Sequence, residues 1–277
     1  MRGTTLIAVG AALLLSASAF AQDVLKTAVD GTFAPHAMPK LSGGIEGFNV
    51  DLSDAIAHQL DKKITVDAAQ FSGLVPALQA GTYDFLIAPV TVTKERAESM
   101  LFTEGYLNTD FQFIIKRDAP DITKLEELKG KVISVNKGSA YDSWARGLEE
   151  KIGWKVESFG TQTDAVQAVL SGRADANVAG NTVIQWVAKN NPQIKLSYLY
   201  STGLVWAIAL RKDSAALRNT LDVALECLKA DGTIAKLHEK WFGTKPAPGS
   251  AALTVFAGYG VPDMAGYDPT AHQTTCK

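Results

Sequence analysis

The sequence predicts an α/β fold built as two lobes. Strand-like and helix-like patterns alternate along the chain, a nine-residue pattern recurs at an offset of 91 residues, and two further apolar runs are placed to carry the chain between halves. Composition agrees with a large globular core. Of 277 residues, 47% are hydrophobic and 20% charged, with 27 basic against 29 acidic side chains, which excludes a disordered chain. Lys and Arg never run longer than a pair, so no basic nucleic-acid patch is expected.

The elements follow in order. Residues 1–21 read as a signal peptide: Arg2 precedes an uncharged run ending in Ala19-Phe20-Ala21, the small-x-small pattern cut by signal peptidase. Cleavage after Ala21 implies an exported, periplasmic protein. Residues 25–29 form a strand leading into the turn Asp30-Gly31, and residues 50–60 a helix with an apolar stripe. A strand at 64–68 precedes a helix at 73–79, stopped at Gly81, in which Pro76 is expected in the tolerant first turn. Residues 83–90 read as a parallel strand buried on both faces.

The recurrence pairs residues 77–85 with 168–176. Each is a helix end, a Gly (Gly81, Gly172) at the cap, then an Asp (Asp84, Asp175) opening an apolar strand. Lobe 2 holds strands at 131–136 and 155–159 and helices from Tyr141, over 163–170 and over 182–189. The runs at 111–116 and 204–210 join the lobes, leaving a cleft at the carboxyl ends of the strands. The expected boundaries are 22–108 with 206–246 for lobe 1, 109–205 for lobe 2, and 247–277 for a tail. Cys227 lies in a helical pattern and Cys276 near the chain end. In an oxidising compartment a disulfide between them would staple the tail. The four histidines stand singly, so no metal site is expected.

Ala28-Val29-Asp30-Gly31-Thr32-Phe33, Gly47-Phe48-Asn49-Val50-Asp51-Leu52, residues 71–79, Thr91-Val92-Thr93-Lys94-Glu95-Arg96, residues 102–106, Gly172-Arg173-Ala174-Asp175-Ala176, Asp231-Gly232-Thr233-Ile234 and Lys240-Trp241-Phe242-Gly243 come in an order that resembles the extracytoplasmic solute-binding proteins, family 3, of ABC importers. The resemblance spans roughly residues 24–245. It implies a type II periplasmic binding fold closing on a small zwitterion, no metal or cofactor, a membrane permease as partner, and a monomer.

The same resemblance assigns roles. Arg96 and Thr91 match residues that bind an α-carboxylate, chemistry that suits a guanidinium at a helix start with Thr93 as N-cap. Asp30 faces the ligand's ammonium, and Phe33 and Phe71 sandwich its aliphatic part. Ala88 and Pro89 offer backbone groups, of which Pro89 has only a carbonyl. Ser139, Ala140 and Tyr141 close on the anion from lobe 2. The family's lobe-2 acid for the α-ammonium falls on Gly180, beside Asn181, so either Asp30 carries the cation alone or the ligand is not a standard α-amino acid. His36 stands where many relatives have an aromatic, and is either a polar pocket group or a surface loop residue. An alternative reading is a periplasmic dehydratase for prephenate- or arogenate-like acids, with Asp30 and His36 as general acid–base candidates. A third is the ligand-binding domain of a sensor. No Gly-x-Ser-x-Gly elbow, Gly-x-Gly-x-x-Gly or P-loop occurs.

Overall fold

A computed structural model describes residues 24–276; the predicted signal segment lies outside the described residues. Lobe 1 is assembled from β1 (Val24–Val29), β4 (Lys63–Ala68), β5 (Leu86–Thr91), β6 (Met100–Phe102) and the end of β11 (Ile194–Arg211), with α1 (Phe48–Leu60), α2 (Phe71–Gln79), α3 (Lys94–Ser99), α7 (Ala215–Ala230) and α8 (Thr233–Phe242) around them. β2 (Met38–Pro39) and β3 (Ile45–Glu46) make a small hairpin beside it. Lobe 2 holds β8 (Val132–Asn136), β9 (Lys155–Phe159) and β10 (Ala176–Gly180), with α4 (Ala140–Gly147), α5 (Gln162–Ser171) and α6 (Asn181–Asn190).

One seven-stranded sheet runs through both lobes, with the path β5-β11-β7-β10-β8-β9, in which β7 is Leu107–Lys116, and β6 also on β11. β7 and the 18-residue β11 are its spine, paired antiparallel from Ile194 with Lys116 to Trp206 with Leu107. These are the two crossings.

β5 is buried along its whole length, as its apolar run predicts. Its ladder partner, however, is the antiparallel β11 rather than a parallel strand. The chain's last strand returns beside it, and Pro89, which has no N–H to donate, lies in the stretch where that ladder slips register. On its other side β5 meets β1 through a hydroxyl: Thr27 Oγ1 donates to Phe85 O (2.9 Å) and accepts from Ile87 N (2.8 Å). A second correction concerns α2, which begins at Phe71. Pro76 therefore sits inside the helix rather than in its first turn, where it removes the bond that Ser72 O would accept.

The recurrent segment builds the same lock twice. In lobe 1, Asp84 accepts from Lys26 N (2.7 Å) and its own N–H donates to Lys26 O (2.9 Å). In lobe 2, Asp175 does the same with Val132, at 2.8 Å in both directions. Gly81 and Gly172 both have left-handed φ, 77° and 80°, which explains Gly at the end of each preceding helix.

Residues 247–276 form a strap across α7. Lys229 Nζ, buried, donates to Glu104 Oε1 (2.6 Å), Gly105 O and Thr254 O. Phe256 N donates to Glu104, Gly260 N to Asp222, and Arg218 Nη1 to Gly266 O. The Cys227–Cys276 disulfide closes the end, with His272 on Glu226 at 2.8 Å. Because a buried charge robbed of its partner costs about 3–5 kcal/mol, Lys229→Met is expected to lower the melting temperature by roughly 6–20 °C. Reduction of the disulfide should expose to limited proteolysis only the residues beyond Asp268, since the earlier strap is held by these polar contacts. Cleavage within 251–266 on reduction alone would contradict this arrangement.

Candidate functional site: the cleft between the lobes

Several of the predicted residues lie at the carboxyl ends of β1, β5, β8 and β10, the position at which open α/β sheets take ligands, and Asp30, Phe33 and Arg96 meet partners of lobe 2 there. In lobe 1, β5 ends at Thr91 and the chain turns into α3. Thr93 caps that helix by accepting from Arg96 N at 3.2 Å. This fixes the Arg96 stem so that Nη1 donates to Thr91 O (3.0 Å) and Nη2 crosses to Gly138 O of lobe 2 (3.0 Å). Its guanidinium carbon stands 5.8 Å from the centre of the Phe71 ring, a cation–π contact. Burial pulls the Arg96 pKa down from its ordinary value, against the opposing pull of Tyr141 and Glu95; it stays a cation. Ala88 and Pro89 are buried within β5.

Asp30 forms the opposite pole. Its Oδ1 accepts from Thr32 N (3.0 Å) and Thr32 Oγ1 (2.7 Å), and its Oδ2 accepts from Asn136 Nδ2 of lobe 2 at 2.8 Å. Gln162 N of lobe 2 donates in turn to Thr32 Oγ1 at 3.2 Å. Both charged poles thus reach across the cleft.

Lobe 2 presents Gly138-Ser139-Ala140-Tyr141. Ser139 caps α4 by accepting from Asp142 N at 3.1 Å, so its hydroxyl oxygen is already engaged at that helix start. The Tyr141 ring is parallel to Phe33, at 8° with centroids 6.4 Å apart. Burial raises the Tyr141 phenol well above its ordinary pKa, Asp30 raises it further and Arg96 opposes, so the hydroxyl is neutral and remains a donor. The parallel pair is Phe33 with Tyr141, one ring from each lobe, while Phe71 lies under Arg96. Two cavities flank this closed contact: one of about 310 Å³ beside Arg96, Ala140 and Trp144, one of about 330 Å³ beside Thr32, Gln162 and Trp186.

The centre of the cleft is aromatic. The indole of Trp206, carried in by β11, donates Nε1–H to Thr91 Oγ1 at 3.0 Å. It meets His36 edge-on at 4.7 Å and Phe33 at 6.2 Å. His36 is fully buried, its Nδ1 on Asn49 Oδ1 (2.9 Å) and its Nε2 on Thr182 Oγ1 of lobe 2 (2.8 Å). Its burial sets aside the surface-loop reading, and both ring nitrogens are taken by protein partners. Gly47 makes room for it: a Cβ there would lie 2.3 Å from His36 O, the carbonyl that accepts from Asn49 N at the start of α1.

The sequence family is decided by comparison over most of the chain. A model of the bacterial extracellular solute-binding proteins, family 3, matches residues 25–244. This chain belongs to that family. A probable amino-acid-binding protein of Bacillus subtilis is 34% identical over 229 residues, 79% of this chain and 84% of the relative. An ABC transporter arginine-binding protein of Escherichia coli is 30% identical, covering 84% and 97%. Among solved structures, an ancestral arginine-binding protein bound to arginine superposes with a TM-score of 0.76 at 35% identity, covering 79% of this chain and 98% of that one. An ancestral amino acid-binding protein described as a precursor of cyclohexadienyl dehydratase superposes at 0.72 with 29% identity, covering 79% and 95%. The family match ends at residue 244, so the strap over α7 lies outside it.

Within this family-3 protein, the structure adds residues that the sequence reading left out. Asn136, Gln162 and Thr182 reach from lobe 2 to Asp30, Thr32 and His36, and Trp206 fills the centre. Only Trp206 left a trace in the sequence, because a bare Gly180 calls for something else to occupy its volume. His36 also supplies a titration. Burial lowers its pKa from 6.5 to about 4, against the Asn49 hydrogen bond and with a smaller push from His238. The unfolded chain takes up this proton as pH falls through about 6.5, while the folded protein resists until about 4, so stability is present above 6.5 and is lost as pH falls. At about 1.4 kcal/mol for each tenfold change in proton affinity, the loss approaches roughly 3 kcal/mol. Thermal melts from pH 7 to 4 should show His36→Asn losing less stability than the wild type over that window. Parallel curves would rule out a buried neutral His36.

Proposed function

We propose that this protein is the periplasmic binding component of an ABC importer, capturing a small zwitterionic solute, an amino acid or amino acid derivative, and delivering it to a membrane permease. The observation that carries the reading is the pair of opposite charges at the cleft. Arg96 and Asp30 each belong to lobe 1 and each bridges to lobe 2, at Gly138 O and Asn136 Nδ2. A ligand with complementary poles would take over these bridges and hold the lobes together, which is how differential affinity for a closed state is generated.

In this reading residues 22–108 and 206–246 move as one body and 109–205 as the other, about the β7 and β11 crossings. The carboxylate lies against Arg96, Thr91, Ser139, Ala140 and the Tyr141 amide, and the cation against Asp30. Phe33 and Phe71 cover the body of the ligand, Ala88 and Pro89 supply backbone, and Gly180 and Asn181 form the lobe-2 wall. The named relatives bind arginine or amino acids, which supports the solute class and a role in binding rather than catalysis. His36 adds to that choice. Burial holds it neutral, and Asn49 and Thr182 occupy both ring nitrogens, which leaves it poorly placed as a general base. The protein acts as an exported monomer without cofactor.

A thermal-shift panel of L-amino acids, polyamines, betaines, opines, dicarboxylates and prephenate tests this. A ligand at 100 times its Kd stabilises by ~2.7 kcal/mol, a rise of roughly 5–10 °C for a chain of this size. Arg96→Ala should remove the rise. A rise undiminished in Arg96→Ala, or a response to prephenate alone, would sink the reading.

A further inference from the structure

The question left by the cleft is where an α-ammonium would go. The place at which relatives are expected to carry an acid is Gly180, and the space in front of its Cα is filled. A Cβ built there would stand 2.4 Å from Cζ2 and 2.5 Å from Cη2 of Trp206, far inside contact distance. The indole cannot swing aside without giving up its hydrogen bond to Thr91 Oγ1 and its edge contacts with His36 and Phe33.

The indole is held by the Thr91 hydroxyl and by the Phe33 and His36 rings. Thr109 Oγ1, 3.4 Å from the same built Cβ, and Asn181 Oδ1 are buried without a partner among the described residues. The Thr182 hydroxyl is taken by His36. An ammonium placed here would shed its water and meet no carboxylate, an arrangement that costs free energy rather than supplying it.

The Asp30 end is built the other way. Three donors use part of its carboxylate's capacity. Asn136, which donates to it, keeps a buried Oδ1 without a partner, and so does Gln162 at Oε1. The parallel Phe33 and Tyr141 rings, one from each lobe, stand with centroids 6.4 Å apart. Acceptors beside a carboxylate and flat rings suit a donor-rich planar cation.

We propose that the ligand is a carboxylic acid whose cation lies at the far end of the molecule, an ω-guanidino or ω-amino carboxylate with no ammonium on its α-carbon, and that Trp206 against Gly180 is the specificity determinant. This rests on the reading of Arg96 and Asp30 as ligand poles. The test is calorimetric titration of the exported protein, disulfide intact, with two matched pairs: 5-guanidinopentanoate against L-arginine, and 6-aminohexanoate against L-lysine. In at least one pair the acid lacking the α-ammonium is expected to bind at least about tenfold tighter, equivalent to about 1.4 kcal/mol. Agmatine, which lacks the carboxylate, should not bind. In a Trp206→Ala/Gly180→Asp double variant the preference should reverse, while Trp206→Phe, which keeps a ring in place, should retain it.

If the wild type binds L-arginine or L-lysine and shows a tenfold preference for the acid lacking the α-ammonium in neither pair, the proposal is overturned while the binding-protein reading stands. A folded double variant that keeps the wild-type preference overturns the role of Trp206. Should the double variant fail to fold by circular dichroism, the wild-type pairs and Trp206→Phe still decide. If neither member of either pair binds, the proposal falls; if the amino acid panel is silent as well, the reading of the poles falls with it.

Discussion

The antiparallel pairing of β7 with β11 is the constraint on which the rest of the structure depends. Both lobes are hung on the same two strands, so the sheet is continuous from β9 to β5. Side chains that enter the cleft from these strands cannot be repositioned without breaking the ladder. Trp206 pairs with Leu107 on one side and Thr91 on the other. Its backbone is therefore fixed by two neighbours, and its indole is fixed by Thr91 Oγ1. That rigidity makes it a wall of the cleft rather than an adaptable filler.

Around this spine the polar groups are divided by purpose. Beneath the strap, Lys229, Glu104, Asp222 and Arg218 are almost fully buried; Lys229 pairs with Glu104, and strap and loop backbone supplies further partners. Inside the cleft, charged groups instead keep capacity in reserve. Asp30 and Arg96 touch only neutral partners on the opposite lobe, and several amide and hydroxyl oxygens nearby lack one. A buried polar atom without a partner is costly, and among the described residues two such atoms, Asn136 Oδ1 and Gln162 Oε1, belong to residues that reach across the cleft to Asp30 and Thr32.

Much of this was legible in the sequence because it was local. Thr93, Ser139 and Thr161 cap helices by bonds to the residue three further on, and the Gly-then-Asp pattern at 81–84 and 172–175 is itself local, although the lock each Asp makes reaches back to Lys26 and to Val132. Pro76 was misplaced because the helix start lies two residues before the first unambiguous signal, Gly73. His36 and Trp206 were harder still. The interior position of His36 depends on Thr182, 146 residues away, and the role of Trp206 depends on a side chain that Gly180 does not have. Hydrophobic periodicity reports which face of an element is inward; it carries no information about which distant residue fills a gap there.

The strap's contacts run to Glu104, Arg218, Asp222, Glu226, Cys227 and Lys229, and Ala251 N reaches Asn108 at the foot of the first crossing. All of these anchors lie on lobe 1 or at its border. About thirty residues are thereby added to one side of the articulation, and the chain's end is pinned to α7 by the disulfide. A surface tether, a dye or a fused domain attached beyond Cys276 would ride with lobe 1 as a fixed frame of reference, against which any movement of lobe 2 can be observed.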